Sequence, residues 1–401
     1  MNGVNSQFGG LHADVSLTRA YAATAAANWN FALGRGAAGL AVLRDEWQGL
    51  VDAMERTCFV QSPAWFASYL HALARDPDRV VFVAARRGGR LRAVLALERV
   101  THGPAGLGPT TLRLVQGDHL PLADIAGDTS GAGLWPALHR WLERDSGLGW
   151  SALVAAGVCS DSSLATMLRD APEAQRGVFH PTAPSLWLDC SAGLKHALRD
   201  VSRSHTLNVR RLARRAKELG SLVYEVASAP AELEAAFEAF LRVEASGWKA
   251  GQGTAIRLHP ELVSFYRGLM QQFGARGACR INLLRLNGEV IAAQFGLVAG
   301  GQLSLLKIGY LEAFAHVAPG HLIMQRTIES VCADAALDRL SFVTQPPWAG
   351  LWKPQATGVE LHVVFRSSLA GRLLRQALQL WQRRPRRAPA RLLAPEPQAA
   401  P

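Results

Sequence analysis

One order of elements recurs in the two halves of this 401-residue chain and limits the folds that it can adopt. In the first half, two candidate helices precede two apolar runs that are joined by Gly88-Gly89. In the second half, two candidate helices again precede two apolar runs, here joined by Asn287-Gly288, about 200 residues later. Such glycine-containing steps between apolar runs are typical of β-hairpins. Because a further strand, a helix and another strand follow each hairpin, the pattern predicts an α/β protein built from two similar tandem units.

The predicted units cover residues 40–188 and 189–368. Each is expected to form a mixed, mostly antiparallel sheet flanked by helices. Residues 1–39, rich in Ala, Gly and Asn, are predicted to be a flexible leader, and residues 369–401 a basic tail with a short helix. With 49% hydrophobic and 19% charged residues, the chain can bury the cores of two domains.

Cysteine usage and the N-terminus predict a cytoplasmic protein without a metal. The five cysteines are widely spaced and form no Cys-x-x-Cys pair, which argues against a disulfide framework and a zinc site. The twelve histidines show no paired ligand spacing. No apolar run reaches the roughly 18 residues of a membrane-spanning helix, and the N-terminus lacks the pattern of a secretory signal.

The positive charge is concentrated in two segments. The chain has a net charge of +11, and residues 195–217 and 372–391 together carry more than this, so the remainder is slightly acidic. A DNA-binding protein is expected to show a basic face on a folded domain, so this distribution argues against DNA. It favours an anionic ligand or surface. The tail would suit an anionic membrane face or a synthase partner.

Pro319-Gly320-His321 follows a predicted strand and a short loop, and it begins a predicted helix. The free N–H groups and the dipole of a helix start bind phosphate. Gly320 would permit close approach of a ligand because it has no Cβ. A plain Pro-Gly turn that only starts a helix is the alternative interpretation.

Two further runs carry side chains that suit group transfer. The run from Lys307 to Phe314 reads KIGYLEAF. Within it, Tyr310 is a candidate general acid and Glu312 a candidate general base. A strand-end aromatic residue and a solvated loop acid are the alternatives for these two positions.

The other run, from Val243 to Ala255, reads VEASGWKAGQGTA. Glu244 lies near a predicted helix end and is a candidate for orienting the acceptor. Trp248 is a candidate apolar platform for the acceptor, or else a core residue. Lys249 is a candidate for neutralising phosphate or for complementing the helix C-terminus.

In order and spacing, these runs resemble the acetyltransferases of the CelD/BcsL group, a branch of the GNAT superfamily linked to cellulose and other polysaccharide biosynthesis. The family stretch similar to residues 307–314 usually reads Lys-Ile-Ala-Tyr-Asp-Glu-Ala-Phe, so Leu311 replaces an Asp. The family's Asp near Ser341 is also absent, and of the usual two glycines at the helix start only Gly320 is kept. The tandem arrangement resembles the FemAB-type transferases.

The resemblance implies a direct transfer from acetyl-CoA, or another acyl-CoA, to an amine or hydroxyl of a polysaccharide or its precursor. It implies cofactor binding at Lys307, Pro319, Gly320 and His321. Two alternatives stay open. One is a FemAB-like enzyme that takes an aminoacyl group from charged tRNA. The other is a degenerate, non-catalytic scaffold of a polysaccharide synthesis system, suggested by the departures at Leu311 and Ser341.

Overall fold

Seven strands and four α-helices lie within the described residues of the first half of the chain. The computed structural model describes residues 29–103, 108–117, 121–129, 133–175, 177–246 and 253–382. The elements of the first half are β1 (Trp29–Arg35), α1 (Gly36–Asp52), α2 (Pro63–Ala72), β2 (Val80–Arg87), β3 (Arg90–Thr101), β4 (Thr110–Leu114), β5 (Ala126–Gly127), α3 (Leu134–Arg144), β6 (Ala152–Cys159), α4 (Ser163–Arg169) and β7 (Val178–Asp189).

The second half repeats this order after two helices that precede its first strand. Its elements are α5 (Leu194–Ala197), α6 (Arg203–Glu218), β8 (Leu222–Ala227), α7 (Pro230–Glu244), α8 (Pro260–Gly274), β9 (Cys279–Leu286), β10 (Glu289–Ala299), β11 (Gln302–Tyr310), α9 (Pro319–Ala333), β12 (Arg339–Ser341), β13 (Gln355–Phe365) and α10 (Leu369–Gln382). The predicted α/β class and the repeated order are confirmed.

Local sequence explains several of these boundaries. Proline occupies the first position of α2, α7, α8 and α9, where its missing N–H is not needed. The hydroxyl of Ser62 caps α2 by accepting the N–H of Ala64. Asn287 and Gly288 both have positive φ, 51° and 85°, as a two-residue turn between β9 and β10 requires.

The strands form one continuous mixed sheet that joins the two halves. The order is β1-β2-β3-β4-β6-β13-β7-β12-β11-β10-β9-β8, with β5 beside β3. Among the described strands, the β4–β6 and β11–β12 pairs are parallel and the other pairs are antiparallel. The last strand of each half is exchanged: β13 inserts between β6 and β7, while β7 pairs with β12. The exchange ties the halves together through backbone hydrogen bonds.

The structure corrects two expectations. The predicted leader, residues 1–39, includes strand β1, which pairs with β2 from Trp29 onward, and the start of α1. The predicted division at residue 188 falls within β7, whose partners β12 and β13 both belong to the second half. Within residues 193–219 the structure has two helices, α5 and α6, and the hydroxyl of Ser202 caps α6 by accepting the N–H of His205. The two predicted units therefore describe the order of elements along the chain, while their strands belong to one continuous sheet.

Two apolar cores cover opposite faces of β9–β11. Helices α7 and α8 pack on one face together with α1 and α2 of the first half. Helices α6 and α9 pack on the other face, where buried side chains of α9 such as Ile323 and Ile328 meet Leu305 of β11. This packing holds the start of α9 near the end of β11.

Candidate functional site

Strand β11 continues beyond its parallel neighbour. Its ladder with β12 has three residue pairs and ends at Ser304 and Ser341. Its antiparallel ladder with β10 continues to Tyr310, after a register shift between Phe295 and Gly296. The end of β11 therefore projects past β12, beside the beginning of α9.

The start of α9 offers backbone N–H donors. The preceding Ala318 adopts a left-handed conformation (φ 49°), and no side chain caps the helix. Gly320 is the second residue of α9, so its N–H is one of the helix-start donors that have no acceptor within the helix. Because the helix spans fifteen residues, its dipole adds positive potential at this position. The geometry suits a phosphate group.

The fold itself does not require glycine at position 320. Its φ is not positive, and a Cβ built there would meet Cδ1 of Tyr310 at 3.7 Å, an ordinary contact distance. At Gly309 the situation is the opposite, because a Cβ would lie 2.7 Å from Cα of Glu244. Gly309 is thus explained by packing, whereas Gly320 leaves space beside a helix-start amide.

The end of α7 is attached to the end of β11. The hydroxyl of Ser246 donates a hydrogen bond that joins the two, lying 2.8 Å from the carbonyl oxygen of Tyr310 and 2.7 Å from that of Val243. Together with the close packing of Gly309 against Glu244, this contact brings two of the predicted runs side by side. The third, at the start of α9, meets them through Tyr310.

Glu244 is buried, with 1% of its surface exposed. Its Oε2 accepts the N–H of Ile256 at 2.9 Å. Tyr266 is also buried, and its pKa is raised by burial and by the charge of Glu244. Glu244 ends α7, and Ile256 begins the 3-10 helix Ile256–Leu258. The hydrogen bond between them therefore connects the two ends of the segment that lies between these helices.

The remaining predicted residues lie in different environments. Lys307 is half-buried on β11 opposite Phe295, and Glu312 is exposed at the start of a short 3-10 helix, Glu312–Val317. Tyr310 is 39% exposed. At α9, Pro319 is buried and His321 half-buried. Trp248 and Lys249 lie outside the described residues.

A cluster of rings beside α9 includes a residue that sequence reasoning missed. The ring centroid of His205 lies 4.8 Å from that of Trp352 and 5.4 Å from that of His321. Burial lowers the pKa of both histidines, and the charge of His205 lowers that of His321 further. Nε2 of His205 and Nε1 of Trp352 are buried with no hydrogen-bond partner among the described residues.

The signal for His205 was present in the sequence. His205 lies four residues before Val209 and eleven before Ala216, the two buried residues of α6. These spacings place all three on one helical face. The arginines of the same helix, which dominate its sequence, lie on its exposed face instead.

A buried polar network fixes α9 on the sheet. Oγ1 of Thr327 lies 2.6 Å from Oε1 of Gln294, which also accepts Nδ2 of Asn282 at 3.0 Å. All three side chains are at most 2% exposed. Because buried amides need partners, the network favours one placement of α9, and with it one position for Gly320.

Two other findings concern metals and membranes. Within the described residues, no group of three or more His, Cys, Asp or Glu side chains is arranged to hold a metal ion. No helix in that same part of the chain has the length and apolar character needed to cross a bilayer.

The family comparison covers the region that contains this geometry. Residues 203–347 match the family model described as "Acetyltransferase (GNAT) domain". Residues 203–347 are a GNAT-type acetyltransferase domain. The domain makes this chain an enzyme of the acyltransferase class. It runs from the start of α6 to residue 347, so it includes His205, Glu244, Tyr310 and Gly320. The matched residues are less than half of the chain.

Solved structures resemble this chain over most of its length. FemX has a TM-score of 0.56 at 12% identity, covering 84% of this chain and 98% of FemX. The C-terminal DUF2156 domain of a protein named as a lysylphosphatidylglycerol synthetase, from Agrobacterium fabrum, has a TM-score of 0.52 at 12% identity, with 85% and 97% covered. L-PGS from Bacillus licheniformis has a TM-score of 0.50 at 13% identity, with 83% and 96% covered.

At these identities the likeness shows the fold alone. It extends to both halves of the chain, which the GNAT family model does not. None of the curated proteins matches the chain significantly.

Proposed function

We propose that this chain transfers an acyl group, most simply acetyl, from acyl-CoA to an amine or hydroxyl. The observation that supports this proposal is the pairing of the helix-start amide of Gly320 with space that no Cβ fills, next to the projecting end of β11. In the proposed complex, the pyrophosphate of the donor binds at the start of α9. The N–H of Gly320 donates to it, and Pro319 and His321 shape the turn. Lys307 lies on the adjacent strand.

Transfer would proceed by direct attack on the thioester. The acceptor lone pair forms a bond to the carbonyl carbon, and the carbon–sulfur bond breaks in the collapse of the tetrahedral intermediate. We assign Tyr310 as the acid that protonates the departing thiolate, because its side chain is partly exposed at the projecting end of β11. Glu312, two residues further and exposed, is assigned as the base that removes the acceptor proton.

Glu244 is assigned a positioning role on the acceptor side. Its carboxylate is buried and bound by the N–H of Ile256, so it holds together the two ends of the segment that contains Trp248 and Lys249. By the resemblance to the CelD/BcsL group, we propose a polysaccharide or a sugar precursor as the acceptor, with Trp248 and Lys249 contacting it. The donor suits a cytoplasmic reaction.

A second donor, an aminoacyl-tRNA, is favoured by one observation. Helix α6 packs beside α9 and exposes several cations to solvent: Arg203, Arg210, Arg211, Arg214 and Lys217. An exposed basic helix beside the reacting groups would suit RNA phosphates.

Binding measurements separate these functions. Calorimetric titration with acetyl-CoA and CoA should show saturable binding that survives moderate salt. Binding of tRNA that weakens steeply with salt, without binding of CoA, would favour the aminoacyl donor. A protein that binds neither and shows no thermal shift with CoA would fit the non-catalytic scaffold.

A further inference from the structure

Helix α10 packs on the sheet by one face only. Leu378 contacts a small apolar cluster of β6 and β13 that includes Leu361 and Val363. The start of the helix is fixed, because the hydroxyl of Ser368 accepts the N–H of Gly371 at 3.2 Å. The helix thus covers part of the sheet and turns its other face to solvent.

Three leucines lie on the solvent face of α10. Leu369, Leu373 and Leu380 are 67%, 56% and 64% exposed. Their spacings of four and seven residues place them within about 40° of one another around the helix axis. A surface helix normally directs its apolar stripe toward the core. Here no described residue covers the stripe, so it needs an apolar environment from beyond the part of the chain that the structure describes.

The charges around this stripe are all positive. Helix α10 contains Arg372 and Arg375 and no acidic residue. The sequence continues with five more arginines and no acid through residue 391: Arg383, Arg384, Arg386, Arg387 and Arg391. An apolar stripe flanked by arginine is the pattern of helices that lie in the interface of an anionic bilayer.

We propose that α10 docks this chain on an anionic lipid surface, with the three leucines in the interface and Arg372 and Arg375 near lipid phosphates, while the basic sequence that follows adds to the attraction. A second copy of the same helix would be repelled by its like charge. RNA would engage the arginines but would leave the leucines exposed. This docking goes beyond the proposed acyl transfer and does not depend on it.

The test uses the full chain and vesicles of phosphatidylglycerol and phosphatidylcholine in equal parts, with pure phosphatidylcholine vesicles for comparison. Wild type should sediment with the anionic vesicles only. The triple variant Leu369→Gln, Leu373→Gln, Leu380→Gln should bind at least about tenfold more weakly, since it removes apolar burial but no charge. Glutamine keeps the helix propensity, so α10 should remain folded.

The matched control is Val42→Gln on α1, which replaces another apolar residue that is 85% exposed. It should bind vesicles like wild type. Triple-variant binding equal to that of wild type would overturn the proposal, because the arginines alone would then account for the attraction. Failure of wild type to bind vesicles would overturn it as well. So would a wild-type dimer that the triple variant dissociates, since a second copy would then cover the leucines.

Discussion

Gly309 and Glu244 are in backbone contact: a Cβ at Gly309 would lie 2.7 Å from Cα of Glu244 and 3.0 Å from its backbone nitrogen. Strand β11 therefore packs directly on the end of α7, with no side chain between them. The contact joins the segment that carries Tyr310 to the helix that leads to Trp248. Both sides of the candidate site depend on it.

Gly309→Ala should destabilise the protein. The added methyl group must displace backbone atoms, which we expect to cost about 1–3 kcal/mol. Urea unfolding would measure the loss. The matched control is Gly49→Ala within α1, where a Cβ meets nothing within 4 Å, and where alanine should be neutral or stabilising. Equal stability of the Gly309 variant and wild type would contradict the contact.

Glu244→Ala should destabilise the protein more than Glu244→Gln does. The alanine leaves the buried N–H of Ile256 without an acceptor, a cost of about 1–3 kcal/mol. The glutamine oxygen can accept the same bond. If Glu244 positions the segment that contains Trp248 and Lys249, the Glu244→Gln variant should raise KM for the acceptor more than it lowers kcat. A loss confined to kcat would instead indicate a chemical role for the carboxylate.

Tyr310→Phe should lower kcat about a hundredfold or more and leave KM for the donor nearly unchanged, because it removes only the hydroxyl assigned as general acid. Release of the CoA thiol would be measured in steady state. Tyr224→Phe is the control, since its hydroxyl lies 3.3 Å from Oγ1 of Thr327, under α9. Comparable losses in both variants would show that the effect of Tyr310 is not specific.

The histidine pair beside α9 should make stability depend on pH. Burial lowers the pKa of His205 and His321 in the folded state, whereas an unfolded histidine titrates near about 6.5. The unfolded chain therefore takes up protons first, so this contribution is complete above that pH and is lost as the pH falls toward the folded pKa values. Unfolding free energies between about pH 7 and pH 5 should fall less steeply in His205→Gln than in wild type.

The same variant should raise the pKa of His321, because the charge of His205 lowers it in wild type. NMR titration of the imidazole would measure the change. His316→Gln, at an exposed position, serves as the control. An unchanged titration of His321 in the His205 variant would contradict the coupling.

The sequence predicted those parts of the fold that depend on local chemistry. The turn at Asn287 and the proline-initiated helix at Pro319 occur where they were expected, because positive φ and a missing N–H are properties of single residues. Strand β1 was missed although Trp29, Phe31 and Leu33 alternate with polar or small residues, because it adjoins a segment rich in Ala, Gly and Asn and pairs with β2 about 50 residues later. Pairing across such distances has no local signature.

The exchanged strands were missed for the same reason. Strand β13 pairs with β6 and β7, from which nearly 200 residues separate it, and the sequence of β13 alone fits several neighbours equally well. At the candidate site, the strand end at Tyr310 and the helix start at Pro319 occur where the sequence predicted them, while the roles of these residues stay predictions. The packing of His205 against Trp352 was not predicted, because it depends on the placement of α6 against α9.

In the proposed complex, the start of α9 binds the diphosphate of acyl-CoA. Calorimetric titration of the Gly320→Trp variant with acetyl-CoA tests this binding most directly. Gly49→Trp is the matched control, because position 49 also has space for a side chain but lies on α1. We predict that wild type and the control bind acetyl-CoA alike, while the Gly320 variant stays folded and loses binding. Binding of acetyl-CoA by the Gly320 variant with wild-type affinity would contradict the account.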